Sequence, residues 1–338
     1  MKNSRISILM SVYNREKYIA EAIESILGQT FTNFEFLIIN NCSTDKSRKI
    51  ILSYSDSRIK LIDNEINIGL TKSLNKGLGL ALGKYIARMD SDDISLPHRL
   101  QIQFEFMEKN PHIDICGSWY KLFGDRNSII KTPVQDREIK ETLFFHNCIA
   151  HPAVIIRKNT FDKYQIKYSE NYLHSEDYEL WCREVDRLKF ANIPEVLIKY
   201  RIHENQIGIA KRKNQDETAD MVRKENLENT GLVFSEKEKK MFCDIVRNDF
   251  SPHNKREVIE VLKFLDKIGT YAKNKFSPKN VEKIKKYIRK YAEAGINSKK
   301  TSLILFFKIL LKWDIYPTSR SKARYFYHSI KNLVLKGN

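Results

Sequence analysis

Residues 85–103 read YIARMDSDDISLPHRLQIQ, and the reading of this stretch decides the fold. Tyr85, Ile86, Ala87 and Met89 form an apolar run of the length of one buried strand. It ends in three carboxylates within four residues, Asp90, Asp92 and Asp93. Pro97 then opens a helical pattern carrying Leu100, Ile102, Phe104 and Phe106, and proline is tolerated in a first helical turn. The prediction is strand, acidic turn, helix. Acids just past the carboxyl end of an inner strand stand where open α/β sheets bind ligands. Three carboxylates packed there raise one another's pKa. A hard divalent cation, Mn²⁺ or Mg²⁺, removes that repulsion. The competing reading is an acidic N-cap, with Asp92 or Asp93 capping the next helix and nothing bound.

Upstream, the apolar runs 6–10, 34–39 and 59–62 read as strands. Between them, 15–27 places Tyr18, Ala22, Ile23, Ile26 and Leu27 on one helical face, and 46–54 and 70–82 read as further helices. Strand and helix alternate with connections shorter than the helices, which predicts parallel βαβ units. Downstream, 115–123, 153–157 and 196–202 read as strands. Residues 176–185 read as a helix with Leu180 and Trp181 inward, and 205–213 as a polar crossing. From about residue 216 the pattern is helical throughout and without a repeat. Val258, Val261, Leu262 and Leu265 share one face, as do Ile284, Tyr287, Ile288 and Tyr291.

A chain of 338 residues holds one large domain or two ordinary ones. Its charge is divided unevenly. The net charge is +17 overall, of which residues 206–338 carry +15, so the first 205 residues are nearly balanced. Residues 303–313 and 325–335 are apolar but broken by lysines. Basic amphipathic helices of this kind suit an anionic membrane surface, or else cap the fold internally. No apolar run is long enough to span a bilayer, and the first apolar run is too short for a signal peptide. Five widely spaced cysteines without a Cys-x-x-Cys pair argue against a disulfide framework and structural zinc, and for a reducing cytoplasm.

Several stretches resemble family-2 inverting glycosyltransferases of the GT-A fold: SVYN (11–14), FEFLIINNCSTD (34–45), NIGLTKSLNKGL (67–78), GKYIARMDSDD (83–93), HPAVIIRK (151–158), SEDYELWCR (175–183) and LIKYRIHENQI (197–207). They occur in order, cover about residues 5–207, and look closest to bacterial enzymes that extend surface oligosaccharides. The resemblance implies an α/β, Rossmann-like nucleotide-sugar domain with a mainly parallel sheet over 1–205, followed by a basic all-helical region over 206–338. It places Ser11, Tyr13, Asn14 and Glu16 in the nucleotide pocket. Asn41, Ser43, Asn67, Arg88 and Arg201 are further candidates for donor binding. Asp90 and Asp92 match the Asp-x-Asp motif, Asp92 as the direct metal ligand, and His203 matches a histidine near the diphosphate or metal. Asp177 matches the catalytic base. Trp181 and Arg183 follow it on the same helix, one buried and one facing substrate. His151 is either a substrate contact or structural. The family usually has an acid after the second strand to accept the uracil N3 proton, where this chain has Asn40-Asn41. An asparagine carbonyl also accepts that bond, but a neutral acceptor makes a weaker one.

The implied partners are a nucleotide-sugar donor, a UDP-sugar first among them, and a glycan or glycolipid acceptor. The enzyme is expected in the cytoplasm, peripheral on an anionic inner membrane, and without nucleic acid. An acceptor hydroxyl would attack the anomeric carbon with inversion, Asp177 taking its proton. Two other classes compete. A nucleotidyltransferase would need a glycine-rich phosphate loop after the first strand, and 11–15 contains no glycine. A non-enzymatic basic module on membrane or nucleic acid fits the charge of the second part but not the ordered acidic motifs of the first. A P-loop ATPase is excluded, because Gly83-Lys84 is followed by Tyr85 and position 78 is Leu.

Overall fold

The computed structural model describes residues 4–204, 211–252, 254–297 and 312. The chain divides into two compact units, residues 1–222 and 223–338.

The first unit is built on one mixed sheet. β1 (Ile6–Val12), β2 (Phe34–Asn40), β3 (Ile59–Asp63) and β4 (Tyr85–Asp90) are all parallel. They alternate with α1 (Ile19–Leu27), α2 (Ser47–Leu52) and α3 (Leu70–Leu80). β1 and β2 are buried almost throughout and mostly apolar because helices cover both faces of the sheet, as parallel sheets require, and the buried Ser7 hydroxyl donates to the buried Glu35 carboxylate. The 85–103 stretch folds as read, except that the acidic turn first makes a two-residue strand, β5 (Ile94–Ser95). Pro97 precedes α4 (Arg99–Lys109) by two residues. The second part of the sheet comes from β6 (Ile115–Gly124), β7 (Ser128–Ile130), β8 (Ile155–Arg157) and β9 (Phe190–Ile202). β8 joins β4 to β6 by short antiparallel ladders, and the long β6–β9 ladder is parallel.

The strand order is β3-β2-β1-β4-β8-β6-β9-β5, with β7 on β6. The chain moves outward from β1 through β3 and then returns to lay β4 on the other side of β1. The carboxyl ends of β1 and β4 therefore flank a topological switch point, the crevice where α/β sheets take ligands. Gly83 permits the close approach that starts β4. A Cβ there would lie 2.5 Å from the Ser7 amide nitrogen and 2.7 Å from the Ile6 carbonyl carbon.

Two helices of the first unit have no counterpart in the sequence patterning. α5 (Asp136–Leu143) and α6 (Lys158–Tyr164) are short and carry only two bulky apolar side chains each, too few to stand out as a helical pattern. α7 (Glu176–Arg183), like α1, α2 and α3, is two to four residues shorter than its pattern. Trp181 and Leu180 are fully buried on α7, as expected. β9 begins six residues earlier than its apolar run, because the Pro194 and Glu195 interruption falls at a register shift against β6. α8 (Arg212–Glu228) follows and runs across the division between the units.

In the second unit, α9 (Glu236–Arg247) starts at a capping box in which Ser235 and Glu238 bond each other's backbone amides. α10 (Lys255–Lys275) and α11 (Pro278–Asn297) bury the two predicted faces, Val258, Val261, Leu262 and Leu265 on one and Ile284, Ile288 and Tyr291 on the other. Those faces pack internally. The lysine-broken apolar stretches 303–313 and 325–335 lie outside the described residues, Lys312 excepted. No helix among the described residues is long and apolar enough to cross a membrane. All five cysteines are free.

Candidate active site

The acid cluster forms because β4 ends at Asp90 and the chain turns before β5. Asp90, Asp92 and Asp93 offer carboxylate oxygens that all lie within 4.8 Å of one another. Four cationic or potentially cationic side chains converge on them. Arg88 Nη2 donates to Asp90 Oδ1 at 2.6 Å. Arg15 Nε lies 3.2 Å and His203 Nε2 3.1 Å from Asp92 Oδ2. Arg201 donates its backbone N–H to Asp93 Oδ1 at 2.8 Å and its Nε–H to the Asp92 carbonyl at 2.7 Å. Beneath them, the wholly buried Arg99 donates to the carbonyl of Arg88 at 2.8 Å.

Burial raises the pKa of Asp90 and, further, that of Asp93, where the two neighbouring carboxylates add to the effect. Burial acts on Asp92 too, but the His203 hydrogen bond and the Arg15 charge outweigh it and hold this carboxyl below its ordinary value. Asp93 Oδ2 is buried with no hydrogen-bond partner. An unsatisfied buried carboxylate oxygen in a cluster of three is the donor chemistry of a hard divalent cation. Asp90, Asp92 and Asp93 fit that ion. Asp93 extends the pair singled out from the sequence.

The predicted nucleotide-side residues are brought together by the loops after β1 and β2. Ser11 sits in β1 level with Asp90 of β4. Asn14 adopts a left-handed conformation, which asparagine tolerates better than most residues, with its N–H on Ser43 Oγ at 3.1 Å. Its side-chain carbonyl accepts from the Thr44 amide at 2.8 Å. Glu16 accepts from the Lys46 amide, and Tyr13 stands half exposed beside this clamp. Asn41 donates to Asn67 Oδ1 at 2.7 Å and accepts from both Asn64 Nδ2 and the Ile68 amide. Both lone pairs of the Asn41 carbonyl are thus engaged within the protein. Asn40 donates to Asp63 at 2.7 Å, so the nearest acid stands one strand away, at the end of β3.

Asp177 lies in the first turn of α7, partly open to solvent. Its Oδ1 accepts from the Tyr178 amide at 2.7 Å and its Oδ2 from Asn147 Nδ2 at 2.8 Å. The protein crowded around it raises its pKa, which the Tyr178 amide, the Arg88 charge and Asn147 partly offset. Arg88 joins the two halves of the site. It is 4% exposed, bonds Asp90, and its charge acts on Asp177 as well, while its Nε and Nη1 are buried without partners. His151 is buried with Nε2 2.9 Å from the Tyr168 hydroxyl and its ring edge-on to Trp181, and burial, aided by the Arg88 charge, pushes its pKa well down. Arg183 pairs with Glu179 and Glu184.

Sequence reading missed Arg15, Asn147 and Tyr168. Arg15 directly follows the SVYN turn and was open to notice. Asn147 lies in an irregular loop where no pattern marks it.

Glu176, next to the candidate base, supplies a pH-dependent prediction. It is buried, and burial together with the Asp177 charge pushes its pKa from 4.5 to about 7. Below pH 4.5 both folded and unfolded chains carry the proton, and no penalty exists. Between 4.5 and 7 the penalty grows, and above 7 folding must bury an ionised carboxylate. At 1.36 kcal/mol per unit the full penalty is about 3 kcal/mol. Glu176→Gln is expected to raise the denaturation midpoint at pH 8 and leave it unchanged at pH 4.5. Equal midpoint shifts at the two pH values would contradict the assignment.

The acid triad thus stands at the switch point, with Asp177 linked to it through one buried arginine. Residues 7–165 match the family model of glycosyl transferase family 2. The chain belongs to this family. It is 38% identical over 236 residues to an uncharacterized glycosyltransferase of Haemophilus influenzae, covering 66% of this chain and 73% of that one. It is 33% identical to the UDP-Glc:alpha-D-GlcNAc-diphosphoundecaprenol beta-1,3-glucosyltransferase WfgD of Escherichia coli, over 63% of this chain and 83% of the relative. The structure of S. aureus TarS 1-349 in complex with UDP-GlcNAc aligns with a TM-score of 0.56 at 18% identity, covering 92% of this chain and 93% of that one. The fold is GT-A. The chain is a glycosyltransferase, not a nucleotidyltransferase or a non-enzymatic basic module.

Proposed function

We propose that the chain transfers a hexose or N-acetylhexosamine from a UDP-sugar to a hydroxyl of a growing bacterial surface glycan, with inversion at the anomeric carbon. The observation that carries this reading is the arrangement about Arg88: a triad suited to a divalent cation on one side and Asp177 on the other. The named activity of the Escherichia coli relative, glucosyl transfer from UDP-Glc to a diphosphoundecaprenol-linked sugar, supports the donor and acceptor classes.

Asp90, Asp92 and Asp93 would hold Mn²⁺ or Mg²⁺, with His203 beside them. A bound cation of this kind supplies Lewis-acid stabilisation of charge developing on a diphosphate leaving group. The loops carrying Ser11, Tyr13, Asn14, Glu16, Asn41, Ser43 and Asn67 form the walls for the nucleoside. Arg88 has two free buried donors for donor oxygens. Asp177 accepts the proton of the attacking hydroxyl at Oδ2 or Oδ1, and its raised pKa brings it nearer the working pH of a general base. Attack from the face opposite the diphosphate gives a β-linked product from an α-linked donor. Contact with an anionic inner membrane, on the cytoplasmic side, is assigned to the basic region that includes 303–338.

The test is release of nucleoside diphosphate from a panel of UDP-, GDP- and dTDP-sugars in Mn²⁺, Mg²⁺ and EDTA, with a lipid-linked sugar acceptor. Metal-dependent release from one UDP-sugar is the expected result. Equal release in EDTA would remove the metal from the reading, and release only from a GDP- or dTDP-sugar would remove UDP.

A further inference from the structure

Arg201 ranks among the candidate donor-binding residues, yet its backbone N–H and two of its three guanidinium nitrogens are paired inside the protein. Its side chain is only 15% exposed and its Nη2 pairs with Glu21 of α1. Its Nε–H goes to the Asp92 carbonyl at 2.7 Å and its backbone N–H to Asp93 Oδ1 at 2.8 Å. The guanidinium carbon lies 4.9 Å from the Tyr18 ring centre and 4.4 Å from that of Phe123. Two residues on, His203 stacks on the same Tyr18 at 4.6 Å and reaches Asp92 Oδ2. The end of β9 therefore grips the Asp92-Asp93 turn at three points and ties it to α1 and β6.

We infer that Arg201 is a positioning residue for the cation site, acting through the acids and not on the donor. The inference rests on the proposed reading of the triad as a divalent-metal site. The backbone of Arg201 occupies one oxygen of Asp93 and leaves the other, Oδ2, buried and without a partner. Its Nε fixes the peptide between Asp92 and Asp93, so the two carboxylates keep one relative orientation. The ion pair to Glu21 and the two aromatic faces hold the guanidinium against rotation, as outer partners of metal ligands commonly do. Arginine is needed because a planar fork can serve a carbonyl and a carboxylate at once, which a lysine ammonium cannot do in the same geometry.

The experiment is Mn²⁺ titration of the full chain, following free Mn²⁺ by electron paramagnetic resonance. UDP affinity is then measured at saturating Mn²⁺. Parent, Arg201→Met, Arg201→Lys and Glu21→Gln are compared, each checked for an unchanged circular dichroism spectrum. Losing an outer partner costs about 10–100-fold in metal affinity. Arg201→Met is expected to weaken Mn²⁺ by at least tenfold, Arg201→Lys to recover little of it, and Glu21→Gln to lose a smaller share. UDP affinity at saturating Mn²⁺ stays within twofold of the parent for all three. An Mn²⁺ loss under tenfold in Arg201→Met overturns the positioning role, and UDP binding that stays weak at saturating metal overturns it too and returns Arg201 to direct donor contact. If Arg201→Met does not fold, Glu21→Gln decides, since parent-like Mn²⁺ affinity there breaks the proposed linkage. Absence of Mn²⁺ binding by the parent itself would instead overturn the metal reading of the triad.

Discussion

Asp177→Asn is expected to lower transfer by about a thousandfold while leaving UDP affinity within a few-fold of the parent. A positioned general base contributes roughly 10²–10⁴-fold. The substitution keeps the size of the side chain and one acceptor for the Tyr178 amide, but removes the oxygen pair that takes a proton. Asn147 loses its carboxylate partner, a small structural cost at a partly open position. Nucleotide binding is assigned to the other side of Arg88, so it survives. Single-turnover transfer and calorimetric UDP titration on the same preparation check the result. Transfer within tenfold of the parent would place the base elsewhere.

The second large effect is expected at Asp92. Asp92→Asn should abolish Mn²⁺-dependent UDP binding and cut transfer by about a thousandfold or more, the scale of several kcal/mol of charge stabilisation. Asp92 is the acid toward which both Arg15 and His203 point, and it is the one of the three held below its ordinary pKa. Removing its charge leaves those two side chains without their shared carboxylate and the cluster without its most strongly ionised oxygen. The pair of variants separates the roles. Asp92→Asn brings UDP affinity in Mn²⁺ down to the value in EDTA, and Asp177→Asn does not. Retention of metal-dependent UDP binding by Asp92→Asn would shift the ligand set to Asp90 and Asp93.

The sheet half that carries the acids was legible because its information is local. An apolar run, three acids and a proline lie within thirteen residues, and β4, the turn and α4 follow directly. The family resemblance named the same stretch and Asp177 independently of the periodicity. The β6–β9 half was less legible. β8 is three residues long, and α5 and α6 are helices of eight and seven residues with too few apolar positions to mark a period. The partners that set the chemistry were least legible. Asn147 meets Asp177, Arg201 meets Asp92, and Glu21 meets Arg201 across 30 to 180 residues, and sequence spacing does not encode such contacts. The Asn40-Asn41 departure read from the sequence takes on a physical form in the structure. The two amides knit β2 to β3 and to the loop before α3, with Asp63 the nearby acid.

The most direct test of the account is UDP binding by the parent chain, titrated calorimetrically in Mn²⁺ and again in EDTA. The account predicts tight binding with the metal and at least tenfold weaker binding without it. Equal affinity in the two buffers would contradict the central claim that Asp90, Asp92 and Asp93 hold a divalent cation for the donor.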